Sequence, residues 1–215
     1  MKSLILKDLY NIGHNAKSML FILIVLAVAF IPNSDAEGYL FVCAVICSMM
    51  IVTTFSFDDT SKWMRYALIM PVSRKDIVAG KFAVLAVFCV IGSMFGLAVS
   101  LISGFVMNKV SFDTAGILEL LFLALLALIT ALIFGSMSIP LVIKFGAEKG
   151  RILLFVSFLV PSAACLGIYQ LLVMLGVEMT EKFVNVLLCC AVFAALGWCY
   201  AMYKISCRIF ERKEL

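Results

Sequence analysis

From Ile117 to Ile143 the chain reads ILELLFLALLALITALIFGSMSIPLVI, 27 residues in which the one charge, Glu119, stands near the start. At ~1.5 Å per residue a helix of this length reaches about 40 Å, more than the ~30 Å hydrocarbon core of a bilayer. A continuous apolar run of this kind is unlike the alternating ~10-residue segments of a membrane barrel. Working outward, five further runs have the same character: residues 18–31, 39–57, 82–107, 152–176 and 184–203. The first is short but extends back through Lys17, whose stem can snorkel. The whole chain matches them, with 215 residues, 65% hydrophobic, 14% charged and a mean hydropathy of +1.16. Soluble domains carry ~25% charged residues. So little polar surface cannot cover a water-soluble globule. A soluble enzyme, a nucleic-acid-binding domain and a disordered chain are excluded. The reading is an all-α membrane protein, one domain over residues 1–215, with six transmembrane helices.

The Lys and Arg residues orient it. Fifteen of the 17 fall in the N-terminal segment, the loops after the second and fourth spans, and the tail 204–215, leaving Lys109 and Lys182 for the other side. The positive-inside rule places both termini in the cytoplasm. The net charge of +4 is then topology and not a nucleic-acid footprint. The basic start, the apolar run and Ser34-Asp35-Ala36 also have the outline of a secretory signal. The expectation here is that this segment is retained as the first span.

Catalytic constellations are thin. His14 is the single histidine, so a His-based metal site or a Ser-His relay has no second histidine to use. Glu119, one turn inside the fourth run, is the sole carboxylate within a span and is expected at the outer interface. There is no Gly-x-x-x-x-Gly-Lys-Ser/Thr phosphate loop. No cofactor is expected on this chain. If ATP and Mg are used, another chain must bind them. Seven of eight cysteines fall in spans and Cys207 in the tail, so no disulfide framework is implied. Cys43 and Cys47 stand one turn apart, a spacing that suits either a metal or small apolar packing; with no histidine or carboxylate beside them, packing is favoured. Gly92, Gly96, Ser100 and Gly104 repeat every fourth residue along the third span, and Ala127, Ala131 and Gly135 do so on the fourth. Such stripes let helices approach closely, within the subunit or at a dimer seam; the first is the expectation. Pro140 and Pro161 should kink or loosen their spans.

The polar segments carry more information. In residues 1–17, Ile5, Leu9 and Ile12 share a helical face flanked by Leu6 and Tyr10, with Lys2, Lys7, Asp8, Asn11 and Asn15 around the remainder. That is an amphipathic helix for the inner membrane surface. In the segment 58–81, Asp58, Asp59, Thr60 and Ser61 offer helix N-caps, and Trp63, Tyr66, Ala67 and Met70 follow at helical spacing before Pro71. Ser73 to Asp76 forms a capping box that opens the third span. A short surface helix with accessible cations suits a cytoplasmic partner.

These segments resemble the permease subunits of ABC-2 type transporters, specifically the small six-span bacterial group with a type V exporter fold. Leu6-Lys7-Asp8-Leu9-Tyr10 resembles the family's opening surface helix. Met70 to Val78 with Gly80-Lys81 resembles its P-[IV]-S-R-x-x-I-V-x-x-K segment, and Ser138 to Leu141 with Lys144 to Arg151 its pattern between spans four and five. The resemblance implies a cytoplasmic coupling helix in the segment 58–81 that seats on an ABC ATPase through Thr60, Lys62, Trp63, Arg65, Tyr66 and Met70. Lys144, Glu148 and Lys149 form a second contact. It further implies two ATPase subunits carrying ATP and Mg, a second permease copy in a homodimer, and membrane lipids around them. Substrate passes between the permeases, where Ser48, Thr53, Thr54 and Ser56 are the polar exceptions in apolar walls. Such walls suit an amphipathic peptide, a toxin or antimicrobial peptide. A non-transporting anchor or sensor that recruits a cytoplasmic partner through the same loops is the alternative; an intramembrane enzyme lacks its catalytic pairs.

Overall fold

The computed structural model describes residues 2–33, 36–67, 69, 73–107, 114–174 and 181–212. They form seven helices: α1 (Lys2–Asn33), α2 (Ala36–Thr60), α3 (Trp63–Ala67), α4 (Arg74–Met107), α5 (Thr114–Phe145), α6 (Ala147–Met174) and α7 (Glu181–Glu211). Among the described residues there is no strand. Gly38–Thr60, Arg74–Ser103 and Gly116–Phe145 are each long and apolar enough to cross a membrane, and α1 is a fourth if its bent halves count as one span. Among the described residues that makes three spans, or four with α1, against the six read from the sequence. The further helices α6 and α7 run for 28 and 31 residues. α5 and α6 continue through Pro140 and Pro161.

α2 is the axis of the bundle, touching α1, α3, α4, α5 and α6, while α7 packs on α5 and α4. The small-residue stripe of α4 faces α2. A Cβ on Gly92 would stand 2.5 Å from the Cys47 Cβ, and one on Gly96 3.3 Å from the Leu40 backbone. Ala127 and Ala131 are buried in the main core, and a Cβ on Gly135 would collide with Leu85 of α4. The stripes are thus used within the subunit; the Gly104 side of the stripe lies outside the described side chains. Cys43 and Cys47 pack with Leu23, Ala27 and Tyr39 in a second apolar cluster, and the Tyr39 hydroxyl donates to the Leu23 carbonyl at 3.1 Å.

α1 holds both the surface helix and the first span read from the sequence, its halves Ser3–Gly13 and Lys17–Phe30 meeting at 62°. Ile12 is buried and Ile5 and Leu9 pack on the core, as their spacing requires. Leu6 and Tyr10, however, are exposed, and Asp8, assigned to the wet face, is buried. The third span starts earlier than read from the sequence. Ser73 opens α4 at Arg74, which carries Lys81 inside the helix and into the core. The reason in both places is the same: the buried charges neutralise one another.

Candidate functional site

Four helix ends meet where the basic segments converge. α2 stops because Thr60 and Ser61 turn their hydroxyls onto the Ser56 and Phe57 carbonyls, at 2.9 and 2.7 Å, and Lys62 then takes a left-handed φ of 53°. That conformation costs a non-glycine residue about 1–2 kcal/mol. It turns the chain at once into α3. The expected caps Asp58, Asp59 and Thr60 therefore lie in the last turn of α2, and the surface helix itself is the five residues Trp63–Ala67. The capping box is as read. The Asp76 N–H donates to the Ser73 Oγ at 3.1 Å, and the Ser73 N–H donates to the Asp76 carboxylate at 3.3 Å.

Beneath α3 sits a cluster of four charges. Lys7 Nζ lies 2.5 Å from Asp58 Oδ1 and 3.2 Å from Asp8 Oδ1; Lys81 Nζ lies 2.5 Å from Asp58 Oδ2 and 2.9 Å from Asp8 Oδ2. The side chains of Asp8, Asp58 and Lys81 are 5, 2 and 4% exposed, and that of Lys7 23%. Lys81 also donates to the Thr54 hydroxyl at 3.2 Å and stands over the Phe55 ring at 4.8 Å. Lys7 stands over the Trp63 ring at 4.4 Å. Two cations against two carboxylates leave the cluster neutral. Removal of these groups from water is expensive, and their mutual ion pairing is what offsets it. The cluster joins α1, α2 and α4, and through Trp63 it holds α3.

Two further ties close this end. The Asp59 carboxylate accepts from the Ala147 N–H at 3.0 Å and so caps α6, a position where an anion opposes the positive end of the helix dipole. Gly146, at φ +83°, makes the break between α5 and α6 that presents this N–H. Ser56, Asp59, Thr60, Gly146 and Lys149 line a cleft of about 620 Å³ beside α3. On the other flank the Arg74 guanidinium donates to the Phe210 and Glu211 carbonyls, both at 2.9 Å, and ties α4 to the end of α7.

The sequence-predicted coupling residues divide over this surface. Trp63 is half-buried against the core, whereas Tyr66, 60% exposed, and Ile69 point outward. Thr60, Lys62, Lys144 and Lys149 are exposed. Met70 lies outside the described residues, as do the side chains of Arg65 and Glu148. Of the hydroxyls assigned to a substrate path, Ser48 and Thr54 are buried inside the subunit and donate to their own helix backbone, at 2.7 Å each. Thr53 and Ser56 are half-buried. Ser48 shares with Ser138 and Ser157 a gap too narrow for a water molecule.

Reading the sequence missed the four-charge cluster. A signal was present: Ile77, Val78, Lys81 and Leu85 share one helical face, so a helix begun at Ser73 must bury Lys81 with them. Among the described residues no group of three or more His, Cys, Asp or Glu is placed to hold a metal. α3 is held through Trp63 to the cluster that joins three long helices, with Tyr66 exposed on its outer side. The family described as ABC-2 family transporter protein matches residues 3–211. No curated protein matches the chain.

Proposed function

The chain belongs to the ABC-2 transporter family, and from that membership we propose that it is the permease subunit of an ATP-driven exporter in the bacterial plasma membrane. Six spans place both termini in the cytoplasm. Two copies form the pathway, and two separate ABC ATPase subunits supply ATP, Mg and hydrolysis. The apolar walls favour an amphipathic or hydrophobic substrate, a peptide toxin or antimicrobial peptide. The observation that carries the reading is the mounting of α3. Its outer side offers Tyr66, with Lys62 at its start, and its inner side rests through Trp63 on the charge cluster shared by α1, α2 and α4. A push on α3 from an ATPase groove reaches three long helices at once. Lys149 lines the neighbouring cleft, and the contact extends to it and to Lys144, with Arg65, Met70 and Glu148 assigned to it from the sequence.

The test separates the two aromatic residues. Tyr66→Ala removes an exposed anchor and should leave thermal stability unchanged, while co-purification of the cognate ABC ATPase and substrate-stimulated hydrolysis fall at least about tenfold, as at an interface hot spot. Trp63→Ala should lower both coupling and stability. Wild-type ATPase retention and stimulation in a folded Tyr66→Ala protein would return α3 to the role of a passive surface element and favour the anchor reading.

A further inference from the structure

A second cleft, lined with cations, lies between the start of α4 and the last turns of α7. Its volume is about 360 Å³, and Lys75, Tyr203, Lys204, Arg208 and Glu211 are among its walls. Lys204 and Arg208 are exposed. Lys75 approaches Glu211 only to 3.8 Å, and both are half or more exposed, so one carboxylate faces three cations. The nearby Asp76 is held by its Ser73 capping contacts. Arg74 is turned away onto the α7 carbonyls and lends the cleft no free charge.

The rest of this α7 face identifies the occupant. Phe193, Leu196 and Tyr200 are exposed, and at 3.6 residues per turn they line up with Lys204 and Arg208. The order along the helix is apolar, apolar, tyrosine, cation, cation. Lys204 stands over the Tyr200 ring at 5.5 Å. The level is also set: Tyr203 stacks edge-on against Phe82 of α4 at 5.7 Å, so the cleft sits at the first turns of a helix apolar enough to cross the membrane. A tyrosine with cations at the edge of an apolar surface is the chemistry of a membrane interface. Basic pockets between helices at that level take phosphate headgroups. A protein partner would match the cations but leave the continuous apolar face without a reason.

We propose that the α4–α7 cleft binds the headgroup of an anionic phospholipid, its phosphodiester against Lys204, Arg208 and Lys75 and its acyl chains along Tyr200, Leu196 and Phe193. The site needs only a membrane surface at this end of the bundle, whichever side that end faces, and is independent of the coupling assignment.

The full-length chain in neutral detergent is titrated with dioleoyl phosphatidylglycerol or dioleoyl phosphatidylcholine, and bound lipid is counted by native mass spectrometry. Wild type should prefer phosphatidylglycerol. Lys204→Gln or Arg208→Gln should each weaken that lipid about fivefold, and the pair about twentyfold, with phosphatidylcholine unmoved. Lys144→Gln with Lys149→Gln, an equal loss of charge at the other cleft, should keep the preference. Three results overturn the site: an equal loss in that control, competition by glycerol phosphate at the lipid's own concentration, or a Lys204/Arg208 pair variant that keeps the lipid preference but loses the ATPase. If the pair variant does not fold, the two single variants at exposed positions decide.

Discussion

Midway along the bundle α4 meets α2 by leaving side chains out; eleven residues from Gly92 toward the basic end it meets the same helix by pairing charges. Gly92 and Gly96 remove the bulk that would separate the helices from Cys47, Cys43 and Leu40. Lys81 reaches Asp58 of α2 and Asp8 of α1 with its ammonium over the Phe55 ring. The glycine contact fails in proportion to what is added. The charge contact fails whenever one member is removed, because its partners stay buried. The two contacts divide the labour: a smooth seam held by shape, and a rigid junction held by charge.

The largest expected effect is at the junction. Asp58→Ala deletes the carboxylate shared by both lysines and strands Lys81 in the core. It should cost about 3–5 kcal/mol, seen as a collapse of Tm in detergent or as loss of folded protein. Lys81→Met in the same background should restore part of the loss, because the stranded charge goes with it. Wild-type Tm for Asp58→Ala would break the comparison by showing the cluster to be wet. At the seam, Gly92→Ala should cost about 1–3 kcal/mol, since its Cβ meets the Cys47 Cβ at 2.5 Å, and Gly96→Ala should cost less than about 1 kcal/mol. Equal costs at the two glycines would mean that the helices shift apart as a unit. The smallest effect tests the residue beside Asp58. Asp59 is exposed and serves only as the cap of α6, so Asp59→Ala should cost about 1 kcal/mol in Tm measurements, and Asp59→Asn, which can still accept the N–H, less than half of that. A loss at Asp59 as large as that at Asp58 would show that capping, and not charge pairing, holds this end together.

Much of this was legible in the residues alone. The apolar runs specify helices, because in lipid a continuous apolar run satisfies its backbone within itself only as a helix, and three of them, or four with α1, are long and apolar enough to cross a membrane among the described residues. The four-residue stripes of Gly and Ala specify close helix approach, and the capping box at Ser73 specifies where α4 starts. The resemblance at Lys7-Asp8 and at Pro71 to Lys81 pointed to the family that matches residues 3–211. What periodicity cannot convey is which distant polar groups find each other. Lys7, Asp58 and Lys81 stand 51 and 23 positions apart, and each alone reads as a solvated charge. Their burial depends on three helices arriving together, so only the tertiary structure could turn Trp63 inward, leave Tyr66 outside, and make the short helix between them part of a clamp. Local patterns determine which segments are helices; long-range charge pairing, whose energy exists only once water is expelled, decides how their ends are joined.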